Sequence, residues 1–337
     1  MADRQALIDA FLVQEGWADA QRTALTGDAS FRRYHRLADN ERQAMLMDAP
    51  PPQEDIGPFL AIARHLTGLG YSAPEILAED RDAGFILLED FGDSTFTRLL
   101  AAGVDETSLY NLATDVLIDL HKKPAAEAIP EHVPIYDSGM LLAEAALLTD
   151  WFVPAARGKE LSASEAQEYQ ALWSAILSLP NGLPETLVLR DYHVDNLMRL
   201  DGRAGIAACG LLDFQDAVAG PVTYDLVSLI EDARRDISSV TAAAVRARYL
   251  AAFPDLDRDE FDRSMAILGA QRHAKVIGIF TRLCVRDGKP VYLDHIPRVW
   301  GLLEAACQHS DLSPMKEWLD DHIPVELRGV PEGLHEL

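Results

Sequence analysis

Along the first hundred residues the apolar positions fall into short alternating runs broken by polar turns. This spacing predicts small strands with one or two helices among them. A helix is predicted over Arg4 to Glu15. Gln21 to Thr26, Phe31 to Leu37 and Gln43 to Asp48 then read as three consecutive strands, joined by Gly27-Asp28-Ala29-Ser30 and by Asp39-Asn40-Glu41, which makes an antiparallel meander. After Pro50-Pro51-Pro52, helical spacing over Glu54 to Leu69 puts Phe59, Ile62, Ala63 and Leu66 on one face. Glu75 to Glu79 and Phe85 to Leu88 add two strands around the turn Asp80 to Gly84.

From Ser94 onward the period becomes mainly helical, with segments near 105–122, 138–152, 163–178, 223–235, 239–252, 259–286 and 294–309. One interruption lies between Pro184 and Ala217: a loop, a short strand, a hairpin and a further short strand, with Leu197 to Leu200 and Ile206 to Leu212 flanking the turn Asp201-Gly202-Arg203-Ala204-Gly205. The expectation is an α+β protein of two lobes. Residues 1–92 would form a small antiparallel-sheet N-lobe and residues 93–337 a larger helical C-lobe, with the crossing near Glu89 to Asp93.

Composition narrows the partners. With 337 residues and 48% hydrophobic content the chain can bury two cores. Its net charge of -24 argues against nucleic acid and anionic membrane surfaces, both of which need clustered Lys and Arg. No obligate protein partner is evident. Cys209, Cys284 and Cys307 sit far apart in apolar surroundings, as reduced thiols of a cytosolic protein would. Met-Ala-Asp-Arg-Gln-Ala-Leu is not a basic region leading into an apolar run, and no stretch of about 18 apolar residues occurs, so a cytoplasmic location is expected.

The interruption carries the chemistry. It contains Leu189-Arg190-Asp191-Tyr192-His193-Val194-Asp195-Asn196 and Gly210-Leu211-Leu212-Asp213-Phe214-Gln215, each acid preceded by apolar strand residues that fix the backbone and let the carboxylate project. Phosphoryl transfer asks for little covalent work: one carboxylate near the acceptor proton, and an amide and a second carboxylate for Mg²⁺. Asp191, Asn196 and Asp213 supply that set.

These residues resemble the aminoglycoside phosphotransferase and choline kinase branch of the protein-kinase-like superfamily, whose loop runs H-G-D-x-x-x-x-N and is followed by an I/L-D-F/W element. The match falls on Asp191, His193, Asn196, Asp213 and Phe214, while Leu189 and Arg190 replace the first His and Gly. The resemblance implies a bilobal kinase fold, ATP and Mg²⁺ as cofactors, Asp191 as catalytic carboxylate, and Asn196 and Asp213 as metal ligands. It also implies that Asp225 braces the catalytic loop, with Arg190 as its counter-charge; the alternative for Asp225 is a carboxylate favoured by the helix dipole. Asp28, Ala29, Ser30 and Phe31 take the place of the phosphate-covering hairpin. Glu89, Asp90 and Phe91 take the place of the interlobe hinge that meets adenine.

One departure concerns the strand lysine that grips the α- and β-phosphates in such kinases. Residues 1–121 contain no lysine, and Arg32 and Arg33 are the substitutes, because alternation points one of the two into the cleft whatever the register. Glu54 or Asp55 would pair with it. Expected acceptor contacts are His193, Gln215, Asp216, Arg234 and Arg272, although Arg272 to Lys275 also suit a solvated helix face. Across nearly the whole chain, including the missing lysine, the combination is similar to a bacterial subgroup that phosphorylates the C1 hydroxyl of N-acetylmuramate and N-acetylglucosamine in peptidoglycan recycling, which implies a small-molecule sugar substrate. Two other readings stand beside it: an aminoglycoside- or choline-type phosphotransferase, and a nucleotide-binding pseudokinase scaffold suggested by the missing lysine.

Overall fold

The structure is a computed structural model that describes residues 4–25, 31–40, 42–179 and 182–334. In chain order it runs α1 (Arg4–Gln14), β1 (Gln21–Ala24), β2 (Arg33–Asp39), β3 (Arg42–Asp48), α2 (Gly57–Gly68), β4 (Ile76–Asp80), β5 (Phe85–Leu88), α3 (Phe96–Ala101) and α4 (Glu106–Lys122). Then come α5 (Ala125–Ala128), α6 (Ser138–Ala145), a π-helical turn Leu148–Phe152, α7 (Val153–Arg157), α8 (Ala163–Leu177), β6 (Glu185–Val188), β7 (Leu197–Arg199), β8 (Cys209–Leu211) and β9 (Val218–Pro221). The chain closes with α9 (Tyr224–Ile230), α10 (Ser239–Ala252), α11 (Arg258–Asp287), α12 (Ile296–Ala306) and α13 (Ser313–His322). It divides into two compact units, residues 1–119 with 189–217 and residues 120–188 with 218–337.

The first unit is built on a five-stranded sheet of order β1-β2-β3-β5-β4, antiparallel throughout. Its two faces are sorted by the pleat, since neighbouring residues on a strand point to opposite sides. Leu37, Ala44, Leu46, Phe85 and Leu87 point to one side and pack with Ile8, Phe11 and Leu12 of α1 and with Trp17. Each leucine, isoleucine or phenylalanine among them contributes about 1.5–3 kcal/mol when fully buried. The other side carries Tyr34, Arg36 and Met45. The β7–β8 hairpin joins this unit, with Leu211 N–H donating to Ser72 O at 2.8 Å and Arg199 N–H to Ser94 O at 2.8 Å.

The second unit is helical apart from the β6–β9 pair. Its axis is the 30-residue α11, capped by Asp257 at one end and by left-handed Gly288 at the other. A Cβ on Gly278 would lie 2.2 Å from the Leu147 carbonyl carbon, so only glycine lets α11 approach the chain just before the π turn. The helical run 138–157 is long and apolar enough, by length and composition, to span a membrane, yet its Ala145, Leu148, Phe152 and Val153 lie in the core of this unit. Cys209, Cys284 and Cys307 are buried and unbonded, and burial pushes the Cys209 and Cys307 thiols up to about 12.

Several boundaries differ from the sequence pattern for identifiable reasons. The helix expected from Glu54 starts at Gly57, because the Asp55 carboxylate first accepts the Gly57 N–H at 2.8 Å and Pro58 occupies the first turn. The strand expected over Ile206 to Leu212 shrinks to Cys209–Leu211, since Gly205 at φ +58° opens a 3₁₀ turn. β9, with its Ala-Gly-Pro end, is a poor strand former and exists through pairing with β6. Gln271, Arg272, His273 and Lys275 do not form a solvated face: all four are buried, with Lys275 3 Å or less from Glu144 and His273 2.7 Å from Glu231.

Candidate active site

On the sheet face opposite α1 lies a cavity of about 470 Å³. Arg32, Tyr34, Arg36 and Met45 line it from the strands, Phe59 from α2, Leu88 to Asp93 from the segment after β5, and Asn196, Met198, Leu212 and Asp213 from the interrupted segment. The catalytic-type loop begins as the chain leaves β6. It is held by turn hydrogen bonds, His193 N–H to Asp191 O at 3.1 Å and Asn196 N–H to His193 O at 2.9 Å. Tyr192, buried, donates its hydroxyl to Ala113 O at 2.8 Å, and Thr97 donates to the Asp195 carboxylate.

Asp191, Asn196 and Asp213 are brought together. The Asn196 amide nitrogen donates to Asp191 O at 2.9 Å, which leaves the amide oxygen available to a cation. Leu212 N–H donates to Asn196 O at 3.0 Å and sets Asp213 beside it. Burial raises the Asp213 carboxyl above the usual carboxylate range, and the negative charge of Asp191 raises it further. Phe214, next in the chain, stacks on Phe59 with ring centroids 5.0 Å apart. Both acids follow unusual backbone: Arg190 has φ +69° and Asp213 itself has φ +58°. Left-handed non-glycine residues cost on the order of 1–3 kcal/mol and cluster at functional sites. Arg190 takes that conformation where the family loop carries glycine.

The donor-side residues divide clearly. Arg32 continues the alternation of Tyr34 and Arg36 into the cavity; its guanidinium lies 3.5 Å from Asp213 and 3.8 Å from Glu54. Arg33 is exposed, on the side of His35 and Leu37, opposite Asp48 in the ladder. Phe31 is exposed and donates its N–H to Glu54 at 3.1 Å. Asp28, Ala29 and Ser30 lie outside the described residues. After β5, Glu89 is bridged by Arg203, which also covers the Phe91 ring at 5.4 Å, and Asp90 is bridged by Arg36 at 2.6 Å. The carboxylates of Glu89 and Asp90 are thus engaged within the protein. Arg36 escaped the sequence reading. The signal for it was present, because it stands four residues after Arg32 on the same pleat.

Of the acceptor candidates, Gln215 donates to Asp213 at 2.9 Å and to Asp216 at 3.0 Å, and Arg190 donates to Asp216 O at 3.3 Å. His193 is buried within its own loop, its Nε2 3.4 Å from the Asn196 amide nitrogen. Arg234, Arg272 and Asp225 belong to the second unit. There Arg234 stands over the Phe280 and Tyr292 rings, Arg272 over the Tyr224 ring, and Asp225 is buried in the first turn of α9.

A loop of this build beside a nucleotide-sized cavity defines a phosphotransferase, and residues 21–261 match the model of the phosphotransferase enzyme family, to which the chain belongs. It is 37% identical to the N-acetylmuramate/N-acetylglucosamine kinase of Caulobacter vibrioides over 97% of this chain and 99% of the relative. It is 38% identical to the kinase of the same name from Pseudomonas aeruginosa over 91% of each. Among solved structures it is similar to a choline kinase from Streptococcus pneumoniae, with a TM-score of 0.63 and 12% identity over 90% of this chain and 99% of that one. It is also similar to an aminoglycoside 2'-phosphotransferase in complex with GDP, with a TM-score of 0.61 and 16% identity over 90% of this chain and 98% of that one. These likenesses give the fold as α+β and protein-kinase-like. The chain is therefore a kinase, and it uses a nucleotide.

Proposed function

We propose that the protein transfers the γ-phosphoryl group of ATP, bound with Mg²⁺, to the C1 hydroxyl of N-acetylmuramate or N-acetylglucosamine in the cytoplasm, as a step of peptidoglycan recycling. The observation that supports the kinase chemistry is that Asn196 and Asp213 line one cavity, while Asp191 accepts the Asn196 amide through its carbonyl and lies near enough for its charge to raise the Asp213 carboxyl. The acceptor rests on likeness to relatives of that name at 34% to 38% identity over most of the chain.

Asp191 orients the acceptor hydroxyl and receives its proton as the bond to phosphorus forms. Asn196 and Asp213 offer an amide oxygen and a carboxylate, which are hard donors. Among the described residues no three His, Cys, Asp or Glu side chains cluster as a self-sufficient metal cage. Such a pair fits magnesium, whose shell is completed by waters and phosphate oxygens. When bound, the ion neutralises charge on the donor phosphates. Backbone groups of Glu89 to Phe91 face adenine, because the side chains of Glu89 and Asp90 are engaged elsewhere. In this reading residues 1–92 cover the nucleotide and residues 93–337 carry the catalytic loop and the acceptor site, with His193, Gln215 and Asp216 meeting the sugar. Arg190 supports the loop through its bond to Asp216 O.

The test measures ADP release from ATP and Mg²⁺ with N-acetylglucosamine, N-acetylmuramate, kanamycin and choline under matched conditions, and locates the new phosphate by phosphorus NMR. Turnover of the two sugars with phosphate on C1 is expected. Turnover of the cationic acceptors alone would sink the sugar assignment, and nucleotide binding with no transfer to any acceptor would favour the scaffold reading.

A further inference from the structure

A kinase cavity of this kind needs a cation fixed against the donor phosphates, and the strand that usually carries it here offers Met45 and Met47 on the cavity side, with no lysine anywhere in residues 1–121. Among the described residues Arg32, Arg36 and Arg98 line the cavity, Arg33 neighbours Arg32 in the chain, and Arg203 covers the Phe91 ring at 5.4 Å while bridged to Glu89. Arg36 is held by short contacts: it meets Asp90 at 2.6 Å, Asp93 at 2.9 Å and the Gly92 carbonyl at 3.0 Å, although its Nε, like that of Arg32, finds no well-directed acceptor among the described residues. Arg98 is largely exposed and pairs with Asp93 at 2.8 Å. Arg33 points to the opposite face of the sheet.

Arg32 differs from the others. Only 14% of its side chain is exposed, yet its contacts to Asp213 and Glu54 are long, at 3.5 and 3.8 Å. Its Nε finds no hydrogen-bond acceptor among the described residues. A guanidinium has five donors in a rigid fork and is rarely left this short of acceptors when desolvated. It lies at the wall shared by the main cavity and a smaller one of about 230 Å³ lined by Glu54, Gln215 and Asp216. Glu54 tethers it while also accepting the Phe31 N–H at 3.1 Å, so one carboxylate sets both the guanidinium and the start of β2.

We propose that Arg32 is the residue that grips the donor phosphates in place of the strand lysine, and that without nucleotide it holds the Asp213 carboxylate where a metal ion would otherwise supply the positive charge. This rests on the nucleotide-donor part of the proposed function and not on the identity of the acceptor. Phosphate oxygens match the fork bidentately, which a lysine ammonium cannot do. Binding of the metal–nucleotide complex then turns Arg32 from Asp213 to phosphate and releases the carboxylate to the metal. The two cations therefore compete for Asp213 in the absence of nucleotide and cooperate in its presence.

The experiment titrates full-length protein with a fluorescent N-methylanthraniloyl ATP in Mg²⁺, for wild type, Arg32→Ala, Arg32→Lys, Arg33→Ala and Glu54→Gln, with thermal unfolding as the check on folding. In parallel, Mn²⁺ alone is titrated by electron paramagnetic resonance. Arg32→Ala is expected to weaken nucleotide binding about tenfold or more, as loss of a charge-assisted phosphate contact does. Arg32→Lys should fall between it and wild type, and Arg33→Ala should stay within about twofold. Free Mn²⁺ should bind Arg32→Ala more tightly than wild type, because a competing positive charge has gone, a gain that a merely structural role would not produce. Should Arg32→Ala melt early, Glu54→Gln carries the test through the lost tether, with about a threefold or larger loss of nucleotide affinity expected. The proposal is overturned if Arg33→Ala loses as much affinity as Arg32→Ala, or if removing Arg32 leaves nucleotide and Mn²⁺ binding unchanged. Failure of the sugar reading shows separately, as wild-type protein that binds nucleotide without phosphorylating either sugar.

Discussion

At the scale of the residue, the site works by giving each carboxylate a different neighbourhood. Asp191 starts a loop whose turns are closed by its own carbonyl, and Asp213 is crowded by protein, by Asp191 and by a guanidinium. Replacing Asp191 by Asn keeps size and removes the base, so kcat should fall by at least about a hundredfold while ATP affinity stays within several-fold. Stopped-flow binding and steady-state turnover on one preparation separate the two, and unchanged turnover would end the assignment. Away from the site, His121 holds its Nδ1 2.8 Å from the Tyr249 hydroxyl while its Nε2 is sealed from water, and burial lowers its pKa to about 3. The unfolded chain binds that proton from about pH 6.5 downward and the folded chain does not, so stability is present above pH 6.5 and is lost as pH falls towards 3. Urea unfolding at pH 7.5 and pH 5 should show a loss of up to about 2 kcal/mol from this residue, at about 1.4 kcal/mol per pH unit below 6.5. His121→Phe should flatten that part of the slope; an unaltered slope would show that other groups dominate.

At the scale of the element, the periodic segments were legible and their ends less so. Alternation and turn residues found β2, β3 and β5 to within two residues at each end, and strong helical periodicity found α4, α8 and α11. What escaped was set by single local contacts or by partners distant in the chain: the Asp55 hydrogen bond that delays α2, the Gly205 turn before β8, and β9, which depends on β6. α13 was missed as well, its short amphipathic pattern following a 3₁₀ turn. Elements pack closely at Gly278, where α11 meets the backbone of Leu147. Alanine is intrinsically the better helix former by about 1 kcal/mol. Its methyl would nevertheless overlap main-chain atoms that cannot move aside, so Gly278→Ala is expected to lower unfolding free energy by about 2 kcal/mol or more. A unchanged or raised urea midpoint would show that the helix shifts without strain.

At the scale of the molecule, the two compact units are not two continuous stretches of chain: the segment 189–217 returns to the first unit. The cavity is consequently lined from both parts of that unit, residues 25–98 and residues 196–213. Nucleotide should therefore protect backbone amides in β2, β3, the Leu88 to Asp93 segment and the 189–213 segment together. At a hundredfold excess over its Kd it should stabilise them by about 2.7 kcal/mol. Hydrogen exchange with and without the Mg²⁺ complex of a non-hydrolysable ATP analogue reads this directly, and protection confined to one of the two segments would contradict a shared cavity.

The sequence by itself determined most of the order of strands and helices, the spacing of two acids and an amide that resembles a phosphotransferase loop, and the absence of a lysine from residues 1–121, because periodicity and turn chemistry are local and are written residue by residue. It also narrowed the replacement cation to two adjacent arginines. Only tertiary structure set Arg32 beside Asp213, paired Arg36 with Asp90, and buried the Gln271 to Lys275 stretch that a helix pattern alone would leave in water. The reason is physical: which face of a strand or helix meets solvent depends on what packs against it, and those packing partners lie tens to hundreds of positions away in the chain.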